Sequence, residues 1–223
     1  VLVTGSAGSG KSTTLSCIIE RINKTRDCHI VTIEDPIETL HSHNKSIVSQ
    51  REVMTDTNSY LNALKSSLRQ APDVILLGEL RDYETIDTAM TAAETGHLIF
   101  SSLHTVGASN TIDRIIDVFP PNQQHQIRTQ LSMVLRAVVS QQLIPSVNGD
   151  MVAAFEIMVA TNAVKNMIRE SKIFQIDSTI FSSSSDGMLA MDTSILNLYN
   201  EGLISRENAL LYSRYPTILE KKL

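Results

Sequence analysis

The residues best able to do chemistry stand at the start of the chain. Residues 5–13 read Gly5-Ser6-Ala7-Gly8-Ser9-Gly10-Lys11-Ser12-Thr13, a full match to the G-x-x-x-x-G-K-[ST] phosphate loop. An apolar run, Val1-Leu2-Val3-Thr4, precedes the match and an amphipathic stretch follows it. In that setting successive backbone N–H groups wrap an anion, and the helix N-terminus adds its positive dipole end. Glycines at 5, 8 and 10 admit backbone angles and close approaches that side chains block. Lys11 offers a point charge for β- and γ-phosphates, and the Ser12 hydroxyl can ligate Mg²⁺. A chance glycine-rich turn does not account for a strand before the match and a helix after it, so a bound nucleotide is expected.

Hydrolysis needs a group that positions or deprotonates water, usually at the carboxyl end of a neighbouring strand. Asp73-Val74-Ile75-Leu76-Leu77-Gly78-Glu79 supplies one, with four apolar residues delivering Glu79 to the ligand edge of a sheet. The acidic pair common at such a site is incomplete, because Gly78 stands where the first carboxylate would be. Metal binding is therefore expected from Ser12, with Glu79 acting through water. A second acidic segment, Ile33-Glu34-Asp35-Pro36-Ile37-Glu38, is expected at the same edge, where Pro36 ends the strand. A third strand runs through Thr95-Gly96-His97-Leu98-Ile99-Phe100-Ser101-Ser102-Leu103-His104. It places His104 to donate toward the γ-phosphate, while His97 lies about 23 Å back along an extended strand. His41 and His43 show no metal-ligand pattern beyond a two-residue spacing and are expected at the surface.

These groups require an α/β frame. Candidate strands at 1–4, 29–34, 73–77, 97–103 and 152–159 alternate with helical stripes, the order of a mainly parallel sheet. The stripes are Leu15, Ile18, Ile19 and Ile22; Leu61, Leu64 and Leu68; Ile86, Ala89, Met90 and Ala93; and Ile127, Leu131, Val134, Leu135 and Val138. Beyond residue 160 helical patterns dominate, through Val164, Met167 and Ile168 and then Met191, Ile195, Leu198 and Tyr199. The serine run 182–187 is expected to separate them as a loop. The expected organisation is a phosphate-loop core over 1–160 and a small helical subdomain over 161–223. The chain begins without Met, directly on a strand of buried type, which reads as a fragment.

Composition narrows the function classes. With 19 Lys+Arg against 24 Asp+Glu, the net charge is −5 and no basic block stands out, so nucleic acid is not an expected partner. The longest apolar stretches are four or five residues, far short of the ~20 that span a bilayer. Cys17 and Cys28 form no metal motif and no disulfide framework, in keeping with a reducing cytoplasm.

In order and spelling, the motifs resemble the secretion ATPase superfamily, and within it the PilT type of type IV pilus retraction ATPases. The resemblance rests on the phosphate loop, TIEDPIE at 32–38, QREV at 50–53, PDVILLGELRD at 72–82, TAAETGHLIFSSLHT at 91–105, TIDRIIDVFP at 111–120, VAAFEIMVAT at 152–161 and AVKNMIRE at 163–170. It covers essentially the whole chain. It implies a RecA-like domain of a homohexameric ATPase using ATP and Mg²⁺, preceded in that family by a PAS-like domain. It also implies work on a pilus platform protein at the cytoplasmic face of the inner membrane.

Carried over by position, Lys11 and Ser12 bind phosphate and Mg²⁺, Glu79 and Glu38 serve catalysis, and His104 contacts the γ-phosphate region; Glu34 of the same acidic segment is a further candidate for catalysis. The remaining arginines of the site are expected from the preceding domain or a neighbouring subunit. The absence of cysteine after Cys28 speaks against assembly ATPases of the GspE or PilB kind, which carry a four-cysteine zinc module. Val106 departs from the family's usual Asn. The competing readings are an assembly or secretion ATPase, a nucleotide-gated structural ring subunit, and a small-molecule kinase. Glu79 argues against the second, and the lack of an arginine-clustered lid against the third.

Overall fold

The computed structural model describes residues 1–223. Strand β1 (Leu2–Thr4) runs into the glycine loop and then α1 (Lys11–Thr25). After these come β2 (His29–Glu34), β3 (Ile47–Glu52), α2 (Tyr60–Ser67), β4 (Val74–Leu77), α3 (Tyr83–Glu94) and β5 (Leu98–Leu103). Helices α4 (Ala108–Asp117) and α5 (Gln124–Val134) lead to the long strands β6 (Ala137–Pro145) and β7 (Met151–Val159). Five helices follow: α6 (Asn162–Arg169), α7 (Ile176–Ser182), α8 (Met191–Asn200), α9 (Arg206–Tyr212) and α10 (Pro216–Leu219). The seven strands form one sheet in the order β3-β2-β4-β5-β1-β6-β7, and only β7 is antiparallel to its neighbour. No helix is long and apolar enough to cross a membrane.

The continuous apolar run of β4 follows from coverage on both faces. Val74 and Leu76 pack with Leu15 and Ile19 of α1, whereas Ile75 and Leu77 join the larger core with Leu64, Ile86 and Ile112 on the opposite face. The helices after residue 160 divide between two clusters. Val164, Ile168, Ile176 and Ile180 enter the larger core, while Ile195, Ala209 and Leu219 cover Ile144 and Ala154 of β6 and β7.

Two strands were not expected. In β3 only Val48 is a buried apolar residue, so an edge strand of polar composition carries no periodic signal. The stripe assigned to one helix through Val138 stops earlier. Leu135 closes the last helical bond to the Leu131 carbonyl at 2.9 Å and turns extended, with ψ 131. Val138 lies on β6 beside Leu2 of β1. Polar Ser140 and Gln141 are buried on that strand, which blurs the apolar alternation a strand would show. Helix α4, with Ile112, Ile115 and Ile116 buried, was also absent from the expected stripes. In the serine run, Ser182 closes α7 and residues 184–186 make one 3₁₀ turn, so the segment is more ordered than the loop expected there.

Candidate functional site

The parallel strands β1, β2, β4 and β5 all end at one edge of the sheet, and the glycine loop rises from the centre of that edge. At Gly5 (φ 146) an added Cβ would lie 2.2 Å from the Gln141 carbonyl oxygen, and at Gly10 (φ 86) 2.8 Å from the Gln141 side-chain nitrogen. Both glycines are therefore required by the approach of β6 as well as by their backbone angles. Gln141 also accepts the Thr14 hydroxyl at 2.7 Å, so β6 braces the loop from behind. Lys11 is 8% exposed, and its Nζ donates to the carbonyls of Gly5 and Ser6 at 2.9 Å each. Burial pushes its ammonium below the ordinary lysine range, and the charge of Glu79 pulls the other way.

A cavity of about 310 Å³ opens beside the loop, and most of the expected site residues converge on it. Ser12 donates its hydroxyl to Glu38 Oε1 at 3.1 Å. Glu79 Oε1 lies 3.3 Å from His104 Nε2, and His104 Nδ1 lies 3.4 Å from Lys11 Nζ. A chain of three groups thus runs from the loop lysine to the strand-end carboxylate. Glu34 is tied back, accepting from Thr32 at 2.6 Å and from Gln50 at 3.4 Å. Ala7 and Gly8 also line the cavity. Gly5, Ser6, Ser9 and Gly10 shape the loop without lining it, and Thr13 is exposed in the first turn of α1. His97 sits at the other end of β5, within 3.0 Å of the Ala92 carbonyl.

The cavity holds residues that the motifs did not single out. Arg81, two positions past Glu79, donates to Glu79 Oε2 at 2.7 Å, so one arginine of the site comes from this chain itself. Tyr60 is brought in by α2, with no local pattern to announce it. A Cβ at position 78 would lie 2.9 Å from the Tyr60 hydroxyl oxygen and 3.3 Å from the Ile33 carbonyl oxygen. The phenol thus takes space that a first acidic residue would need. Burial, and next the negative charge of Asp35, push the Tyr60 hydroxyl up to about 12, which keeps it a donor at neutral pH.

His41 corrects the surface expectation. Its side chain is 4% exposed and lines the cavity, with Nδ1 3.2 Å from Glu20 and Nε2 3.5 Å from the Ser16 hydroxyl. Asn23 of α1 holds the 41–46 segment there, its side chain donating to the Ser42 carbonyl and accepting the Asn44 N–H while its carbonyl accepts the Lys45 and Ser46 N–H groups. His43 is exposed, as expected, and its Nδ1 accepts the Val48 N–H.

No cluster of three or more His, Cys, Asp or Glu residues could by itself hold a metal ion. The donor set at the loop, a hydroxyl beside a carboxylate, fits a hard cation that keeps waters and binds phosphate oxygens. A larger cleft of about 530 Å³ opens at the amino ends of the strands, lined by Leu98, Ile115 and Leu131 among others. It is mainly apolar and gathers no comparable set of charges.

A strand, glycine loop and helix at the carboxyl edge of a parallel sheet, with Glu79 and His104 brought from neighbouring strands, define an α/β phosphate-loop domain. Residues 1–184 match the family model described as Type II/IV secretion system protein, and the chain belongs to that family. It is 51% identical over 216 residues to the type IV pilus retractation ATPase PilT of Pseudomonas aeruginosa, covering 97% of this chain and 63% of that relative. It is 53% identical over 210 residues to a twitching motility protein of Neisseria gonorrhoeae, covering 94% of this chain and 56% of the relative. The crystal structure of the pilus retraction motor PilT with bound ADP superposes with a TM-score of 0.92 at 49% identity, over 99% of this chain and 62% of that one. The chain thus spans about three-fifths of the length of these relatives.

Proposed function

We propose that this chain is the ATP-hydrolysing domain of a homohexameric motor that drives type IV pilus retraction. The observation that carries the reading is the relay from Lys11 through His104 to Glu79 at the mouth of the phosphate loop. Likeness to PilT over 97% of the chain supports the choice of retraction, as does the lack of any cysteine after Cys28.

The loop amides and Lys11 hold the β- and γ-phosphates. Ser12, with Glu38 beside it and Glu79 through water, would hold Mg²⁺, which would neutralise charge on the β- and γ-phosphates. Glu79 orients a water and takes its proton as the water oxygen bonds to the γ-phosphorus; the bond to the bridging oxygen breaks and ADP leaves. His104 donates to the γ-phosphate and so distinguishes ATP from ADP. Glu34, fixed by Thr32 and Gln50, backs Glu38 with a second negative charge. Arg81 holds Glu79 in place, and further arginines come from a neighbouring subunit. A difference in packing between the triphosphate and product states then does mechanical work. The core over 1–160 carries the chemistry, and the helices over 161–223 pass the motion to a platform protein at the cytoplasmic face of the inner membrane.

The test is Glu79→Gln in the complete gene product. Steady-state turnover is expected to fall by about 10²-fold or more, with affinity for a fluorescent ATP analogue kept within about twofold. Turnover unchanged by this substitution would end the assignment.

A further inference from the structure

Between His104 and α4 lie only Thr105, Val106 and Gly107. The His104 side chain is 52% exposed and meets Glu79 and Lys11 only at 3.3 and 3.4 Å, so its position depends also on how firmly this short link is held. Gly107 donates its N–H to Ser140 Oγ at 2.9 Å, and its carbonyl accepts the Thr111 hydroxyl at 2.7 Å. The charged anchor of the link is Glu156 on β7, whose side chain is 5% exposed and whose Oε1 accepts the Ala108 N–H at 2.8 Å. Ala108 opens α4, so the carboxylate meets the positive end of a ten-residue helix. Burial pushes the Glu156 carboxyl up, and the Ala108 bond and the charge of Arg214 draw it back.

Arg214, between α9 and α10, brings Nη1 to 3.7 Å from Glu156 and Nη2 to 2.6 Å from Asp177 Oδ2. Asp177 in turn accepts the Ser109 hydroxyl at 2.8 Å, again at the start of α4. A Cβ on Gly107 would meet Arg214 Nη1 at 3.3 Å and Glu156 Oε1 at 3.6 Å, and φ there is 88. The link is thus fitted closely against both charges. Asp192 fixes the C-terminal segment itself, accepting the Arg214 and Tyr215 N–H groups at 2.7 and 2.9 Å.

We propose that Glu156 is a positioning residue for His104, holding the link between β5 and α4 through the Ala108 N–H and joining it, through Arg214, to the C-terminal segment. The proposal rests on the assignment of His104 to the γ-phosphate. A buried carboxylate lowers stability unless it is paired; Glu156 is paired with the Ala108 and Met191 backbone and with Arg214, and the first of these partners belongs to the segment that carries His104. Removing it loosens His104 without touching the phosphate loop.

The experiment measures affinities for fluorescent ATP and ADP analogues, and amide exchange at Ala108 without nucleotide, in the complete gene product. His104→Ala and Glu156→Ala are each expected to lower the preference for ATP over ADP by about fivefold, and the double variant no further. Glu156→Gln keeps an acceptor for Ala108, so it keeps the exchange protection that Glu156→Ala loses. Ala108→Pro removes the same N–H at a position where proline suits a helix start, and it is expected to reproduce Glu156→Ala even if that variant folds poorly. Arg214→Met is expected to shift the preference by about twofold, and no shift there overturns the tie to the C-terminal segment.

Loss of preference in His104→Ala alone overturns the part given to Glu156 and leaves the reading of His104 standing. Unchanged preference in both removes both. Loss in Glu156→Ala alone, or additive losses, shows that Glu156 acts elsewhere and overturns the proposal.

Discussion

The same strands end in two quite different places. At their amino ends lies the larger opening, about 530 Å³ and lined by residues such as Leu98, Ile115 and Leu131. At their carboxyl ends the cavity is smaller, about 310 Å³, yet Lys11, Glu38, Glu79 and His104 all reach it. The amino ends are a seam between helices whose residues belong to the core. The carboxyl ends are where successive crossovers bring separate motifs to one edge. The proposed function thus rests on the convergence of charge and not on the volume of the opening.

The contrast is sharpest if substitutions at the two ends separate binding from stability. Lys11→Ala is expected to lower affinity for ATP analogues by about hundredfold or more, since it removes the charge proposed to meet the phosphates; fluorescence titration measures this. At the other end, Leu131→Ala, which truncates a side chain 3% exposed, is expected to cost about 3 kcal/mol in urea unfolding and to leave that affinity unaltered. A Leu131 variant that binds nucleotide poorly while still folded would break the comparison.

Gly78→Asp asks whether the carboxyl edge has room for an acidic pair. With a Cβ 2.9 Å from the Tyr60 hydroxyl oxygen, the added side chain is expected to destabilise by about 1–3 kcal/mol. Tyr60→Phe should recover part of that loss in the same denaturation assay. A Gly78→Asp protein as stable as its parent would show that Tyr60 does not fill the space.

The smallest effect concerns pH. Burial raises the Glu156 carboxyl above its ordinary value, against the pull of Ala108 and Arg214 and with Asp177 nearby. In the window from the ordinary carboxylate value up to the raised one, the folded state binds more protons than the unfolded state, so this group's contribution falls as pH rises. Melting curves taken upward in pH from the ordinary carboxylate value should show the wild type losing stability relative to Glu156→Gln. A difference that is flat or opposite in sign would remove the assignment.

Much of the carboxyl edge was readable along the chain. The strand before the loop, the apolar run of β4 ending at Glu79, and β5 ending at His104 each announce themselves over fewer than a dozen residues. Their alternation with amphipathic helices dictates a mainly parallel sheet. Less readable were β3, whose side chains are mostly polar, and β6, where buried Ser140 and Gln141 interrupt the apolar alternation. Gln141 shows why: its burial is offset by the hydrogen bond it accepts from Thr14 of α1, more than a hundred residues earlier.

Local chemistry settled the phosphate loop, the strand-end carboxylate and the α/β class, because glycine angles, period-two runs and helical stripes act between near neighbours in the chain. Folding in space settled the rest. Tyr60 takes the room beside Gly78, His41 is enclosed against α1, and Glu156 reaches Ala108 across 48 residues. The last of these contacts exists only once β7 has joined the sheet beside β6, and no short-range preference encodes which distant group will arrive.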